Sequence, residues 1–317
     1  DEITLADQLK QCGYKTSIIG KWHLGPGKEF HPYKRGFDHF FGFQGGMHSY
    51  FGNYNKWYDF LNPIVDGTKV VEKEEYLTHA FAREAENFIE RNKDIPFFMY
   101  LPFNAPHTPI QVPKKYIDRV SAIPDPDRQK FAAVVCALDD AIGRVMKKLI
   151  DLNIEENTLI FFISDNGGAI SHGASNDPYR GQKASLYEGG IRVPFAMQWK
   201  NLLPAGMVYN NPVHTLDVFP TAVAAAQASL PPDRIIDGVN LLPYVNGKKT
   251  GQPHSQLYWR YVNAAMREGN YKLFKSRHGY YELYDLAADP QESNNILDHQ
   301  PAVADRMKNM LSDWENQ

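Results

Sequence analysis

Asp165 and Asn166 set a carboxylate beside an amide oxygen, directly ahead of Gly167 and Gly168. Hard cations such as calcium take oxygen ligands, and adjacent residues at the start of a turn can both reach one ion. The same four residues also suit an Asx turn whose tight backbone the glycines supply. Two oxygens fall short of the roughly six to eight that calcium takes, so other ligands would have to complete a shell. Lys21 and His23 lie two apart, and in an extended chain they point the same way. A Lys beside a His makes a cationic pocket with a group that exchanges protons near neutral pH. A surface Lys and a capping His account for the pair as well. His107 stands between Pro106 and Thr108-Pro109, where the prolines restrict the backbone and can fix its direction. Lys183 is a second cation, and alone it reads as a solvated charge. Taken singly, each group has a plain structural explanation. Together they suit one task, holding a small tetrahedral anion.

The elements that must position these groups alternate between strand and helix. Thr4 caps a short helix through Gln11, and a buried strand over residues 16–20 runs into Lys21. Residues 26–62 are rich in Gly and aromatics without a period, which marks a long functional excursion. A helix over 75–91 carries Leu77, Phe81, Ala85, Phe88 and Ile89 on one face. Residues 96–101 form an apolar, buried strand that ends ahead of His107. A long helix over 127–152 repeats Phe131, Val134, Val135, Leu138, Ile142, Val145 and Leu149 at helical spacing. It leads to an apolar strand over 158–164, which stops at Asp165. This order predicts an α/β fold with a mixed, mainly parallel sheet between helices. Ligands bind beyond the carboxyl ends of such strands, where all three polar clusters fall. After about residue 252 the texture changes to short strands over 256–261, 264–267, 271–276 and 280–285, then a helix over 301–314. These predict a small C-terminal domain, an antiparallel sheet plus a helix.

With 34 Lys+Arg against 37 Asp+Glu, the formal charge is only −3, which argues against a protein held to nucleic acid by bulk charge. No run approaches the roughly 18 apolar residues of a membrane span. Cys12 and Cys136, the two cysteines, read as buried free thiols and not as a disulfide.

Six segments in order carry a resemblance. They are Gly20-Lys21-Trp22-His23-Leu24-Gly25, then Ala105-Pro106-His107, then Ser164-Asp165-Asn166-Gly167. Lys183 follows, five residues ahead of Glu188-Gly189-Gly190-Ile191-Arg192-Val193-Pro194. The tail adds Arg267-Glu268-Gly269-Asn270-Tyr271-Lys272-Leu273 and Glu282-Leu283-Tyr284-Asp285-Leu286. The series resembles the type I sulfatases, a family of the alkaline-phosphatase superfamily, and it runs nearly the whole chain. The resemblance implies an alkaline-phosphatase-like catalytic domain over 1–252 lacking its N-terminal part, with a small domain over 253–317. It implies hydrolysis of a sulfate monoester, with a sulfated carbohydrate favoured as substrate. It makes Asp165 and Asn166 ligands of Ca2+, and Lys21 and Lys183 binders of sulfate oxygens. His23 would help collapse a sulfated intermediate, and His107 would donate a proton to the leaving alcohol. Members of the family usually work in periplasm, lysosome or outside cells. All six residues are expected to converge in one pocket.

The departure from the family pattern is as plain. The family's Asp-Asp metal pair and its Cys- or Ser-x-Pro-x-Arg motif, whose first residue becomes formylglycine, do not occur in this sequence. The chain therefore reads as starting inside the domain, with the formylglycine nucleophile expected in a missing N-terminal segment, and as inactive alone. Two other readings remain: a non-catalytic sulfate- or glycan-binding relative, and a phosphatase or phosphonate hydrolase of the same superfamily. The aromatic stretch 41–58, with His48 and Trp57, suits either a sugar subsite or ordinary loop packing.

Overall fold

The structure, a computed structural model, describes residues 2–25, 27–52, 59, 62–72 and 75–316. Trp57 of the aromatic stretch lies outside the described residues. The chain divides into two compact units. One comprises Asp1–Leu159, Trp199–Leu203 and Val218–Asn240; the other comprises Ile160–Gln198, Pro204–Asp217 and Leu241–Gln317.

The first unit is built on a five-stranded sheet. In chain order its strands are β1 (Lys15–Lys21), β2 (His39–Phe43), β3 (Val65–Asp66), β4 (Lys69–Val70) and β5 (Phe97–Tyr100), arranged β4-β3-β2-β1-β5. β1 pairs in parallel with both β2 and β5, while β3 and β4 add an antiparallel edge. β2 lies inside the stretch read as aperiodic excursion. Its five residues include Gly42 and show no alternation, because the strand is buried on both faces and needs none. The helix Leu5–Gln11 opens on a capping box, with the Thr4 hydroxyl accepting the Asp7 N–H and the Asp7 carboxylate accepting the Thr4 N–H.

Two long helices, Leu77–Asn92 and Pro126–Asp151, pack against each other. The first buries the face read from its sequence. The second buries Val134, Val145 and Leu149 of the predicted face together with Ala133, Ala137 and Ala141, whereas Val135 is 40% exposed. Ala133, Val134 and Ala137 share one apolar cluster with Tyr50, Tyr76 and Tyr116. β5 also departs from expectation. It is the sheet's edge strand, and Tyr100 is exposed instead of buried.

The second unit contains an antiparallel pair, β6 (Ile160–Ile163) with β7 (Phe195–Gln198). Its larger sheet is antiparallel throughout: β8 (Gln256–Arg260), β9 (Ala264–Glu268), β10 (Tyr271–Lys275) and β11 (Tyr281–Asp285), ordered β11-β10-β9-β8. One face, with Met266, Leu273 and Leu283, packs on Ala304, Met307 and Leu311 of the helix Pro301–Glu315. The other face packs Ala265 and Phe274 on Leu186, Tyr187 and Ile191. The expected C-terminal antiparallel sheet with its helix is present, and so is the mixed sheet between helices.

Both cysteines are free thiols, as expected, but neither is buried. Cys12 is exposed and Cys136 half-buried. Cys12 caps the C-terminal end of the first helix, where the chain turns outward at Gly13.

Candidate functional site

The six residues singled out by sequence fall three to each unit. Lys21 closes β1. Its N–H donates to the Pro102 carbonyl at 2.9 Å, and the next two N–H groups, of Trp22 and His23, donate to Phe43 and Gln44. The strand end is thus clamped between β2 and the segment after β5. Glycine makes that clamp possible. Gly20 has φ +134, and a Cβ there would lie 2.1 Å from the Pro102 oxygen. A Cβ at Gly42 would lie 1.9 Å from the Gly20 oxygen. His23 does not continue the strand: its φ is +57, a left-handed conformation uncommon for a residue with a side chain. The expectation that Lys21 and His23 share a side of extended chain therefore loses its premise, since extension ends at Lys21. The His23 ring packs on Gly46, where a Cβ would stand 2.6 Å from Nε2.

His107 follows three residues after buried Asn104, whose carbonyl accepts the His107 N–H at 2.7 Å. Both X-Pro bonds flanking it, Ala105-Pro106 and Thr108-Pro109, are cis. The fully buried Tyr50 hydroxyl donates toward the carbonyls of both Asn104 and His107. Burial pushes the Tyr50 phenol well above its usual range, so it remains a proton donor to those carbonyls. His107 Nδ1 lies 2.9 Å from the Thr108 carbonyl oxygen. A carbonyl only accepts, so Nδ1 carries a proton and Nε2 is the nitrogen that gains or loses one. His48 is 5% exposed with its Nδ1 on the Ser49 carbonyl, a packed core histidine against Phe43.

In the second unit, Asp165 and Asn166 follow β6 directly. The Asp165 side chain is exposed. Asn166 Nδ2 donates to the Gly167 carbonyl at 3.0 Å, and the Ser164 hydroxyl donates to the Asn166 carbonyl. The turn is held from outside. Gly167 N–H donates to the Gly190 carbonyl at 2.9 Å, and Gly168 N–H to Asn176 Oδ1 at 2.8 Å. Lys183 N–H donates to the Gly168 carbonyl at 3.2 Å, which ties that lysine's backbone to the turn. A Cβ on Gly167 would fall 1.8 Å from the Gly189 oxygen, and one on Gly190 2.1 Å from the Ser185 oxygen. Backbone meets backbone here, and only glycine fits.

Behind the turn lies a buried charge cluster that sequence reasoning missed. Lys272 of β10, fully buried, approaches Glu188 Oε1 at 2.9 Å and Glu292 Oε1 at 2.8 Å. Glu292 Oε2 accepts the Glu188 N–H at 2.6 Å. Burial raises the Glu292 carboxyl, with Lys272 opposing the rise. Through Glu188 the cluster holds the Glu188–Ile191 turn that presents Gly190 to Gly167. A signal was present in the sequence: a lysine inside the apolar run Tyr271-Lys272-Leu273-Phe274, where parity points it into the unit. Asn176, which buttresses Gly168, carried none.

As a metal site, the Asp165–Asn166 pair offers the oxygen chemistry calcium prefers but only two ligands. Among the described residues no group of three or more His, Cys, Asp or Glu side chains is placed to hold a metal. The pair fits part of a calcium shell, not a whole one.

The sulfatase family profile matches residues 1–228, and the profile of the C-terminal part of N-sulphoglucosamine sulphohydrolase matches residues 181–317. This chain belongs to the sulfatase family. It is similar to N-acetylgalactosamine-6-sulfatase of Canis lupus familiaris, at 34% identity over 80% of this chain and 50% of that one. It is similar also to arylsulfatase J of Mus musculus, at 33% identity over 99% of this chain and 62% of that one. Among solved structures, Ps i-CgsB in complex with k-i-k-neocarrahexaose superposes with a TM-score of 0.92 at 34% identity, covering 98% of this chain and 73% of that one. The chain spans about half the length of the N-acetylgalactosamine-6-sulfatases it matches.

Proposed function

We propose that this chain provides the anion-binding and proton-transfer part of a sulfatase that hydrolyses a sulfate ester on a carbohydrate. The observation that carries the reading is the likeness to Ps i-CgsB across 98% of the chain, since that relative was solved with a carrageenan oligosaccharide. The printed function of the N-acetylgalactosamine-6-sulfatases points to sulfated sugars as well. In this reading Lys21 and Lys183 take the sulfate oxygens, where fixed cations stabilise charge that builds as the S–O bond breaks. His23 works beside the nucleophile. His107 gives the Nε2 proton to the departing alkoxide, turning from imidazolium to neutral imidazole, while Nδ1 keeps its bond to Thr108. Asp165 and Asn166 are two of the calcium ligands, and the ion when bound polarises sulfuryl oxygens. The whole enzyme works in periplasm, lysosome or outside cells.

No Cys- or Ser-x-Pro-x-Arg sequence occurs in the 317 residues, so the oxygen nucleophile must come from elsewhere. A positioned nucleophile accounts for a large part of such a rate. The purified chain is therefore expected to leave an aryl sulfate at background. Joined to a family segment that carries the Asp-Asp pair and matured formylglycine, it should release the alcohol. His107→Ala should then depress the rate most for poor leaving groups, where the proton matters most. Turnover by the 317-residue chain alone, abolished by His23→Ala, would refute this assignment. Binding of sulfate without turnover in the joined protein would favour the non-catalytic relative.

A further inference from the structure

Strands β8 to β11 run up and down, so the β8–β9 and β10–β11 turns lie at the same end of their sheet. A hydrogen bond joins the two tips: the Arg277 N–H donates to Asn263 Oδ1 at 3.0 Å. Each tip is closed internally, by the Tyr261 N–H on the Asn263 carbonyl and the Ser276 N–H on the Tyr280 carbonyl. On this rigid base stand Tyr261, 66% exposed, and Tyr280, 54% exposed. Arg260, Arg277 and His278 beside them are exposed too, and Arg277 Nε donates to His278 Nε2 at 3.0 Å.

Some arginines of this molecule are paired and some are not; Arg91, like the two at the tips, is exposed and forms no ion pair among the described residues. Arg83, Arg119, Arg144, Arg234 and Arg306 each meet a carboxylate. Arg260 and Arg277 form no ion pair among the described residues. The contrast extends to the groove of about 590 Å³ beside His79. There Arg144 and Lys147 are neutralised by Glu86 and Asp151, and Asp139 and Asp140 line the wall. The hairpin tips leave two guanidinium groups free for an external anion, next to two open aromatic faces.

We infer that these tips bind a sulfated oligosaccharide, apart from the residues assigned to the reaction. A pyranose presents a C–H face that a tyrosine ring covers, and its sulfate offers the oxygen geometry that a guanidinium grips with two N–H groups. The rigid base lowers the ordering cost of binding. The inference rests on the sulfatase reading for its substrate class alone.

The test titrates the 317-residue chain with a carrageenan hexasaccharide, its desulfated counterpart and inorganic sulfate. The sulfated hexasaccharide should bind, and its Kd should rise about tenfold or more in Arg260→Ala/Arg277→Ala and in Tyr261→Ala/Tyr280→Ala. The desulfated sugar should bind the native chain about as weakly as the sulfated one binds the arginine variant. Inorganic sulfate, which lacks the sugar face, should lose affinity for the tips in the arginine pair and keep it in the tyrosine pair. Unchanged hexasaccharide affinity in the folded variants overturns the inference, as does equal affinity for the desulfated sugar. If a variant does not fold, ring-proton shifts of Tyr261 and Tyr280 in the native chain decide: no shift on adding the hexasaccharide overturns it. Failure of the sulfatase reading shows separately, as a joined enzyme that binds the hexasaccharide but turns over no sulfate ester.

Discussion

At the end of β1, the backbone of Lys21 to His23 is held by its own N–H groups, which reach carbonyls on two flanking segments, and Gly20 and Gly42 let those segments close in. At the end of β6, the Asp165–Gly168 turn has a single strand neighbour, β7, and is propped from behind by Gly190, Asn176 and a buried lysine between two glutamates. The first region is an extension of a sheet, and its cost of order is shared with the ladder. The second is a surface turn whose geometry depends on desolvated charge. Two places that look alike in sequence, polar residues after an apolar strand, thus have different weaknesses.

The largest expected effect falls on the second region. Lys272→Met leaves Glu292 buried without its cation and Glu188 with only the longer contact to Arg192 at 3.7 Å, which costs about 3–5 kcal/mol. Urea unfolding should show that loss, and amide exchange at Gly167 should speed up while exchange at Trp22 and His23 holds. Adding Glu188→Gln and Glu292→Gln should recover much of the stability, because the unpaired charge is what destabilises. A loss under about 1 kcal/mol in the single variant would mean that the cluster does not hold the turn.

Gly42→Ala attacks the first region, with a Cβ 1.9 Å from the Gly20 oxygen. Overpacking of this kind costs about 1–3 kcal/mol. The loss should be the same at low and high salt, since no charge is involved, and protection should now fail at Trp22 and His23 first. A salt-dependent loss would erase the contrast between the regions.

The smallest effect is a slope. Burial lowers the pKa of His39, His79 and His214 from 6.5, with Lys115 adding to the effect at His79. The folded state refuses a proton that the unfolded chain accepts at that pH. Each therefore contributes stability that is complete above pH 6.5 and is lost as pH falls below it, down through the folded-state pKa. His79→Gln should flatten the fall of Tm on acidification from pH 7. An unchanged slope would assign the acid sensitivity to the other two histidines.

Much of this was readable in advance. The Thr4 cap of the first helix, the buried face of Leu77–Asn92 and the four short C-terminal strands are local patterns, written at spacings that one element imposes on its own residues. The six candidate residues were singled out because each stands in a short contiguous segment that carries the resemblance. Periodicity misled where the partner decides. The Pro126–Asp151 helix buries Val134, Val145 and Leu149 as read but adds Ala133, Ala137 and Ala141 and exposes Val135, since the residues that arrive to cover a face, not side-chain size, select it. β2 escaped notice because a strand covered on both sides has no alternation to read.

The sequence by itself determined the element types, the parity that sends Lys272 inward and the residue types of an anion-handling chemistry. Only the tertiary structure decided that Glu188 and Glu292, separated along the chain by 104 residues, meet at one N–H. It alone showed that His23 leaves the strand in a left-handed turn, and that Gly167 must be glycine because the Gly189 oxygen stands where its Cβ would be. The reason is physical. Helix and strand preferences act over a few residues, whereas desolvation and steric exclusion depend on which distant atoms arrive to fill the space.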